Sequence, residues 1–157
     1  MRKRLIGPVP QNRPLLDQEW LELEPLVEVE LTSEDAAHPI ESALLPGAES
    51  GWRAASPGKQ TIRLMFDRPQ RLGRIWLLFI EPETARTQEF ALRWSPDGGQ
   101  SFREIVRQQW NFSLPGTTRE VEDYHVELSG VTVLELTIVP DQSGGAARAS
   151  LAQWRLA

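Results

Sequence analysis

Phe90-Ala91-Leu92-Arg93-Trp94-Ser95-Pro96-Asp97-Gly98-Gly99-Gln100-Ser101-Phe102 is the stretch on which the fold is decided. Phe90, Leu92 and Trp94 fall on one side of an extended chain, and Ala91 and Arg93 fall on the other. That period of two belongs to a half-buried strand. Pro-Asp-Gly-Gly then supplies turn chemistry: proline presets φ, aspartate bonds its own backbone, and the glycines tolerate positive φ. A second strand starts at Phe102, so the segment predicts a β-hairpin.

The same period recurs on both sides of the hairpin. Val27, Val29 and Leu31 alternate with Glu28 and Glu30, and Ile62, Leu64 and Phe66 alternate with Thr61, Arg63 and Met65. Ile75 to Ile80 is apolar on both faces, which predicts a central strand. Tyr124, Val126 and Leu128 alternate again, Ser129-Gly130 turns the chain, and Leu134, Leu136 and Ile138 follow. Ala152, Trp154 and Leu156 form the last strand. About eight strands without intervening helical patterns predict an all-β, antiparallel jelly-roll sandwich. Residues 1–26, with Pro8, Pro10, Pro14 and Pro25, are set apart as an N-terminal extension, and residues 27–157 as the sandwich domain. The extension is either a short helix from Pro14 to Glu24 or an arm that plugs Leu15, Trp20 and Leu23 onto the sandwich.

Composition narrows the function. The chain has 157 residues, enough for one domain with a real core. It contains no cysteine, which removes disulfides, thiol catalysis and Cys-ligated zinc. Its net charge of −5 argues against a broad phosphate-binding surface, so no nucleic-acid partner is expected. The basic start Met1-Arg2-Lys3-Arg4 is followed by prolines instead of an apolar run. The chain is therefore expected to be cytoplasmic and to have no membrane partner. His38 and His125 are the only imidazoles, and neither has a triad or metal motif around it. The carboxylate pairs Glu81/Glu83 and Glu122/Asp123 are taken as solvated loop acids, so no enzyme is expected.

Several motifs occur in an order similar to that of the galactose-binding-like, discoidin-type β-sandwich. Thr32-Ser33-Glu34 ends a strand, Pro39-Ile40-Glu41-Ser42-Ala43-Leu44 resembles a helical turn, and Gly51-Trp52-Arg53 precedes the strand Gln60-Thr61-Ile62-Arg63-Leu64. Ser95-Pro96-Asp97-Gly98 and Ala149-Ser150-Leu151-Ala152-Gln153-Trp154 also match in position. The segment from Trp52 to Ile62 is similar, more locally, to one in the N-terminal domain of the X-ray-repair cross-complementing scaffold protein, a protein-interaction module of the same fold. The first resemblance implies a non-catalytic ligand-binding module with carbohydrate as the ligand class. The alternative is a protein-interaction domain in a cytosolic complex, which the missing signal peptide favours because free glycans are mostly extracellular; a homo-oligomer through an exposed sheet edge is the remaining option. Many such domains hold a structural calcium between the loop after the Ala-Leu turn and an acid on the last strand. Here that loop is Pro46-Gly47-Ala48-Glu49 and the last-strand residue is the neutral Gln153, so no cofactor is expected.

The candidate site centres on Gln108-Gln109-Trp110-Asn111-Phe112-Ser113-Leu114-Pro115-Gly116. Trp110 and Phe112 lie two apart and point the same way in an extended chain. Either ring can stack on a sugar, with Asn111 and Arg53 as polar contacts and Arg86 as a further candidate. The competing reading is that both rings pack onto the sheet. Of the six tryptophans, Trp52, Trp76, Trp94 and Trp154 are assigned to the core.

Overall fold

A computed structural model describes residues 20–47, 50–113 and 115–157. Among them the elements are β1 (Val27–Leu31), α1 (Glu41–Leu44), β2 (Trp52–Arg53), β3 (Gln60–Ile80), β4 (Arg86–Ser95), β5 (Arg103–Phe112), β6 (Arg119–Val139), β7 (Ser150–Leu151) and β8 (Gln153–Leu156). Every strand pairing is antiparallel, in the order β1-β3-β6-β4-β5 with β8 also on β3 and a separate β2-β7 pair. No helix of the described residues is long and apolar enough to cross a membrane.

β3 and β6 organise the sandwich because each runs 21 residues and serves both layers. The first half of β3 pairs with β1 and with the second half of β6. After register shifts between Met65 and Arg74, the second half pairs with the first half of β6 and with β8. Such bulges bend a strand and let one chain turn from one layer into the other. The turn expected at Ser129-Gly130 is therefore an irregularity inside a continuous strand, and so is the stretch around Pro69 that joins the runs 62–66 and 75–80, read as separate strands. Proline is tolerated there because a bulge needs no ladder hydrogen bond from it.

The core lies between the layers. Ile62, Leu64, Leu92, Leu134 and Leu136 from one meet Ile75, Leu77, Trp154 and Leu156 from the other, all fully buried. Phe79 and Phe90 meet across it with ring centroids 5.2 Å apart. Trp52, Trp94 and Trp154 are buried as expected. Trp76 is not: it is half-buried on the outer face of β3, where Trp20 covers it at 6.5 Å. The stretch Ile75 to Ile80 is central, between β6 and β8, but Ile80 remains 41% exposed at its end.

The hairpin that decided the fold forms between β4 and β5. Its turn is held by side chains. The Ser95 hydroxyl donates to Asp97 Oδ1 (2.7 Å), and the Ser101 amide (2.9 Å) and hydroxyl (2.6 Å) donate to the same carboxylate. The Ser101 and Ser95 hydroxyls, with the Ser101 amide, hold the Asp97 carboxyl down at about 2. Behind the turn, Glu135 is 2% exposed and bridges Arg63 (2.8 Å) and Arg93 (2.8 Å) across three adjacent strands.

Residues 1–19 of the expected extension lie outside the described residues. Residues 20–24 are not helical; the Leu21 amide donates to the Leu156 carbonyl (2.8 Å) and Leu23 enters the core at 2% exposure.

Candidate functional site

A groove of about 690 Å³ opens at one end of the sandwich. That volume is within the ~300–1,000 Å³ usual for small-molecule sites. Its floor is the β2-β7 pair, with Trp52 opposite Leu151 and Arg53 opposite Ser150. Trp52 and Leu151 turn into the core, so the alternate residues Arg53 and Ser150 face the groove. Ser33 fixes this floor from below: its carbonyl accepts Trp52 Nε1–H (3.1 Å) and its hydroxyl accepts the Ala55 amide (3.0 Å). Gly51 enters β2 with φ of +66°, and a Cβ there would lie 2.8 Å from the Leu151 carbonyl oxygen, so only glycine fits.

Three segments wall the groove. The turn at 35–38 is tied to β2, because the Arg53 amide donates to the His38 carbonyl (3.1 Å). His38 Nδ1 lies 3.3 Å from the Ser50 carbonyl. A carbonyl only accepts, so that bond requires the proton on Nδ1, which leaves Nε2 as an acceptor in the neutral ring. The second wall is the β3-β4 connection at 80–84, and the third is the β6-β7 connection at 141–148. Asp141 stabilises the third by accepting the Ser143 amide (3.1 Å) and hydroxyl (2.9 Å), contacts that hold its carboxyl below the usual carboxylate range.

The structure brings Arg86, Asn111, Phe112 and Trp110 together, because Arg86 pairs with Phe112, Thr87 with Asn111 and Gln88 with Trp110. Arg53 stands apart from them, in the groove. Phe112 is only 2% exposed, with Arg86 lying 5.0 Å over its ring, so its face is closed to a ligand. Trp110 is half-buried against the core. These residues belong to β5 itself and not to a loop after it, so the sheet claims their inward faces. Asn111 is exposed, and its Oδ1 accepts the Thr87 hydroxyl (2.7 Å).

Arg86 is 5% exposed and acts as a bolt between two walls of the groove. Its Nε donates to Glu81 (3.1 Å), and its Nη1 donates to Gln88 (3.0 Å) and to the Pro140 carbonyl. It thus ties the β3-β4 connection to the end of β6. Glu81, expected to be a solvated acid, is its partner; Asp123 likewise forms a two-point pair with Arg74 (2.8 and 2.6 Å), and Glu122 accepts the Tyr124 hydroxyl (2.9 Å).

Behind Gln88 lies Glu120, which is fully buried. Its Oε1 accepts from Gln88 (3.3 Å), while Oε2 has no donor. Burial first, and then the neighbouring Glu122 carboxylate, push the Glu120 carboxyl up to about 8.

The residues present do not fit the calcium implied by the resemblance. On β8 it is Arg155 that reaches the end of α1, donating to the carbonyls of Ala43 (2.7 Å) and Leu45 (3.3 Å). A guanidinium on those oxygens takes up the lone pairs a cation would use and repels it. Among the described residues no three Asp, Glu or His side chains gather around a common point; Ala48 and Glu49 lie outside them.

No protein-family model and no curated protein matches the sequence. Solved structures match the fold. The CBM32 of AlyQ, in complex with 4,5-unsaturated mannuronic acid, is similar at TM-score 0.61 and 16% identity, over 84% of this chain and 95% of that one. The family 32 CBM from C. perfringens NanJ, in complex with galactose, is similar at 0.60 and 14%, over 83% and 92%. CpGH89CBM32-5 from Clostridium perfringens, in complex with GalNAc-β-1,3-galactose, is similar at 0.59 and 17%, over 83% and 94%. The fold is therefore the galactose-binding-like, discoidin-type β-sandwich.

Proposed function

We propose that the protein is a non-catalytic carbohydrate-binding module whose site is the groove over β2 and β7. The observation that carries this reading is the groove's mixed lining: His38, Arg53, Glu83 and Ser150 supply hydrogen-bonding groups over a fixed floor, beside apolar surface from Ile80, Pro82 and Ala146. His38 Nε2 and the Glu83 carboxylate accept sugar hydroxyls, Arg53 and Ser150 donate to ring or hydroxyl oxygens, and Ile80 offers an apolar edge for C–H groups. The sugars named for structures of the same fold support the ligand class. Recognition here rests on hydrogen bonds and charge. Trp110 and Asn111 lie outside the groove, on opposite faces of β5.

A glycan-array screen of the full chain, with Arg53→Ala, His38→Ala and Trp110→Ala alongside, tests this. Binding by the parent that is lost in the first two variants and kept in the third supports the groove. Binding lost only in Trp110→Ala moves the site to β5. An array without any signal removes the carbohydrate reading.

A protein partner is the second reading, favoured by Ile80 (41% exposed) and Val121 (48% exposed) at the outer end of adjacent β3 and β6. Val121→Glu would abolish such docking and spare glycan binding.

A further inference from the structure

The charges lining the groove are not equivalent once their partners are counted. Glu81 is engaged by buried Arg86, and Asp141 is engaged by Ser143 within its own turn. Arg53 and Arg148, both exposed, have no ion-pair partner among the described residues. They also share a face. Arg53 lies opposite Ser150, the Ala54 amide continues the ladder to the Ala149 carbonyl (2.9 Å), and Arg148 follows at the diagonal position. Diagonal neighbours on one face of a ladder are about 7–8 Å apart at their Cα atoms. Two guanidiniums at that separation can converge on a single anion between them. Glu83, the remaining lining acid without a partner, is on the opposite wall at the β3-β4 connection.

We infer that the groove takes an acidic sugar, a uronate, with its carboxylate held between Arg53 and Arg148 and its hydroxyls turned toward Glu83 and His38. The inference rests on the groove being the carbohydrate site and adds the ligand's charge. A guanidinium presents paired N–H donors that match the two oxygens of a carboxylate, and charge-assisted bonds of this kind are about twice as strong as neutral ones. A neutral hexose would leave both cations uncompensated. The opposed placement of Glu83 also orients the ligand, since a carboxylate beside Glu83 would be repelled while a hydroxyl there would donate to it.

The test is calorimetric titration of the full chain with trimers of galacturonate, mannuronate and glucuronate, each as free acid and as methyl ester. The ester keeps every hydroxyl and removes only the charge. The expected result is at least tenfold tighter binding of one free acid than of its ester, with the preference shrinking as salt is raised. In the Arg53→Gln/Arg148→Gln double variant the preference for acid over ester should disappear, with an unchanged melting temperature because neither side chain holds a folded-state partner. Esters and acids binding equally in the parent, or a preference that survives in the double variant, would overturn the inference and leave the carbohydrate reading standing. A parent that binds none of the trimers and no neutral glycan on the array would overturn both.

Discussion

Replacing Glu120 by glutamine should change how stability depends on pH. In the folded protein the Glu120 carboxyl is pushed from an ordinary 4.5 to about 8 by burial and by Glu122. Between those values the native state holds a proton that the unfolded chain releases. Stability therefore falls as pH rises through this window, by about 1.4 kcal/mol per pH unit, and the contribution is complete below pH 4.5 and lost above pH 8. The structure supplies the cause: Glu120 Oε2 faces a second carboxylate and has no donor of its own, so only a proton satisfies it. An amide places an N–H there at every pH. Glu120→Gln should thus lie within about 1 kcal/mol of the parent at pH 5 and exceed it by on the order of 4–5 kcal/mol at pH 8.5. Urea unfolding of both proteins at half-unit steps from pH 5 to 9 measures the difference, and contributions from other groups cancel between them. Parallel stability curves for the two proteins would show that Glu120 titrates normally and would refute the reasoning.

Three further changes probe the frame around the groove. Arg155→Met should lower stability by about 2–4 kcal/mol in thermal unfolding, because carbonyls of Ala43, Leu45 and Trp154 lose a buried donor, and neither calcium nor EDTA should shift the parent's melting temperature. Glu135→Ala should cost about 2–3 kcal/mol by urea titration, since it leaves Arg63 and Arg93 facing each other across β6 without the shared carboxylate. Gly51→Ala should cost about 2 kcal/mol or more and weaken glycan binding together with stability, because the new methyl group would press on the backbone of Leu151 and Ala152 under the groove.

Much of the fold is legible in the sequence because its signals are local. The Ser95–Phe102 turn contains its own hydrogen-bonding partners, and the period-two runs at 27–31, 62–66, 90–94 and 134–138 mark buried faces wherever the neighbouring strand comes from. The continuity of β3 and β6 is not legible, since Pro69 and Gly130 look like chain breaks until each is seen as an irregularity opposite the other long strand. Trp76 looks like core in an all-apolar run, yet its cover is Trp20 from the start of the chain. The groove is least legible of all. Residues near 38, 53, 83 and 148 meet only through the pairing of two-residue strands, which have no periodic signature. Arg53 could be singled out beside Trp52, whereas Arg148 sits in a Gly-Ala-rich connection that resembles a plain linker. Trp110 and Phe112 look like a sugar platform because they are large and flat, the same property that leads a sheet to bury them.

The central claim is that sugar enters the groove over β2 and β7, and ligand-induced shifts of backbone amide resonances test it most directly. Titration with an oligosaccharide that binds should move amides at 38, 50–53, 80, 81, 83, 84 and 143–152 and leave those at 103–112 in place. Shifts confined to β5, or spread over the outer face around Trp76 and Val121, would contradict the account.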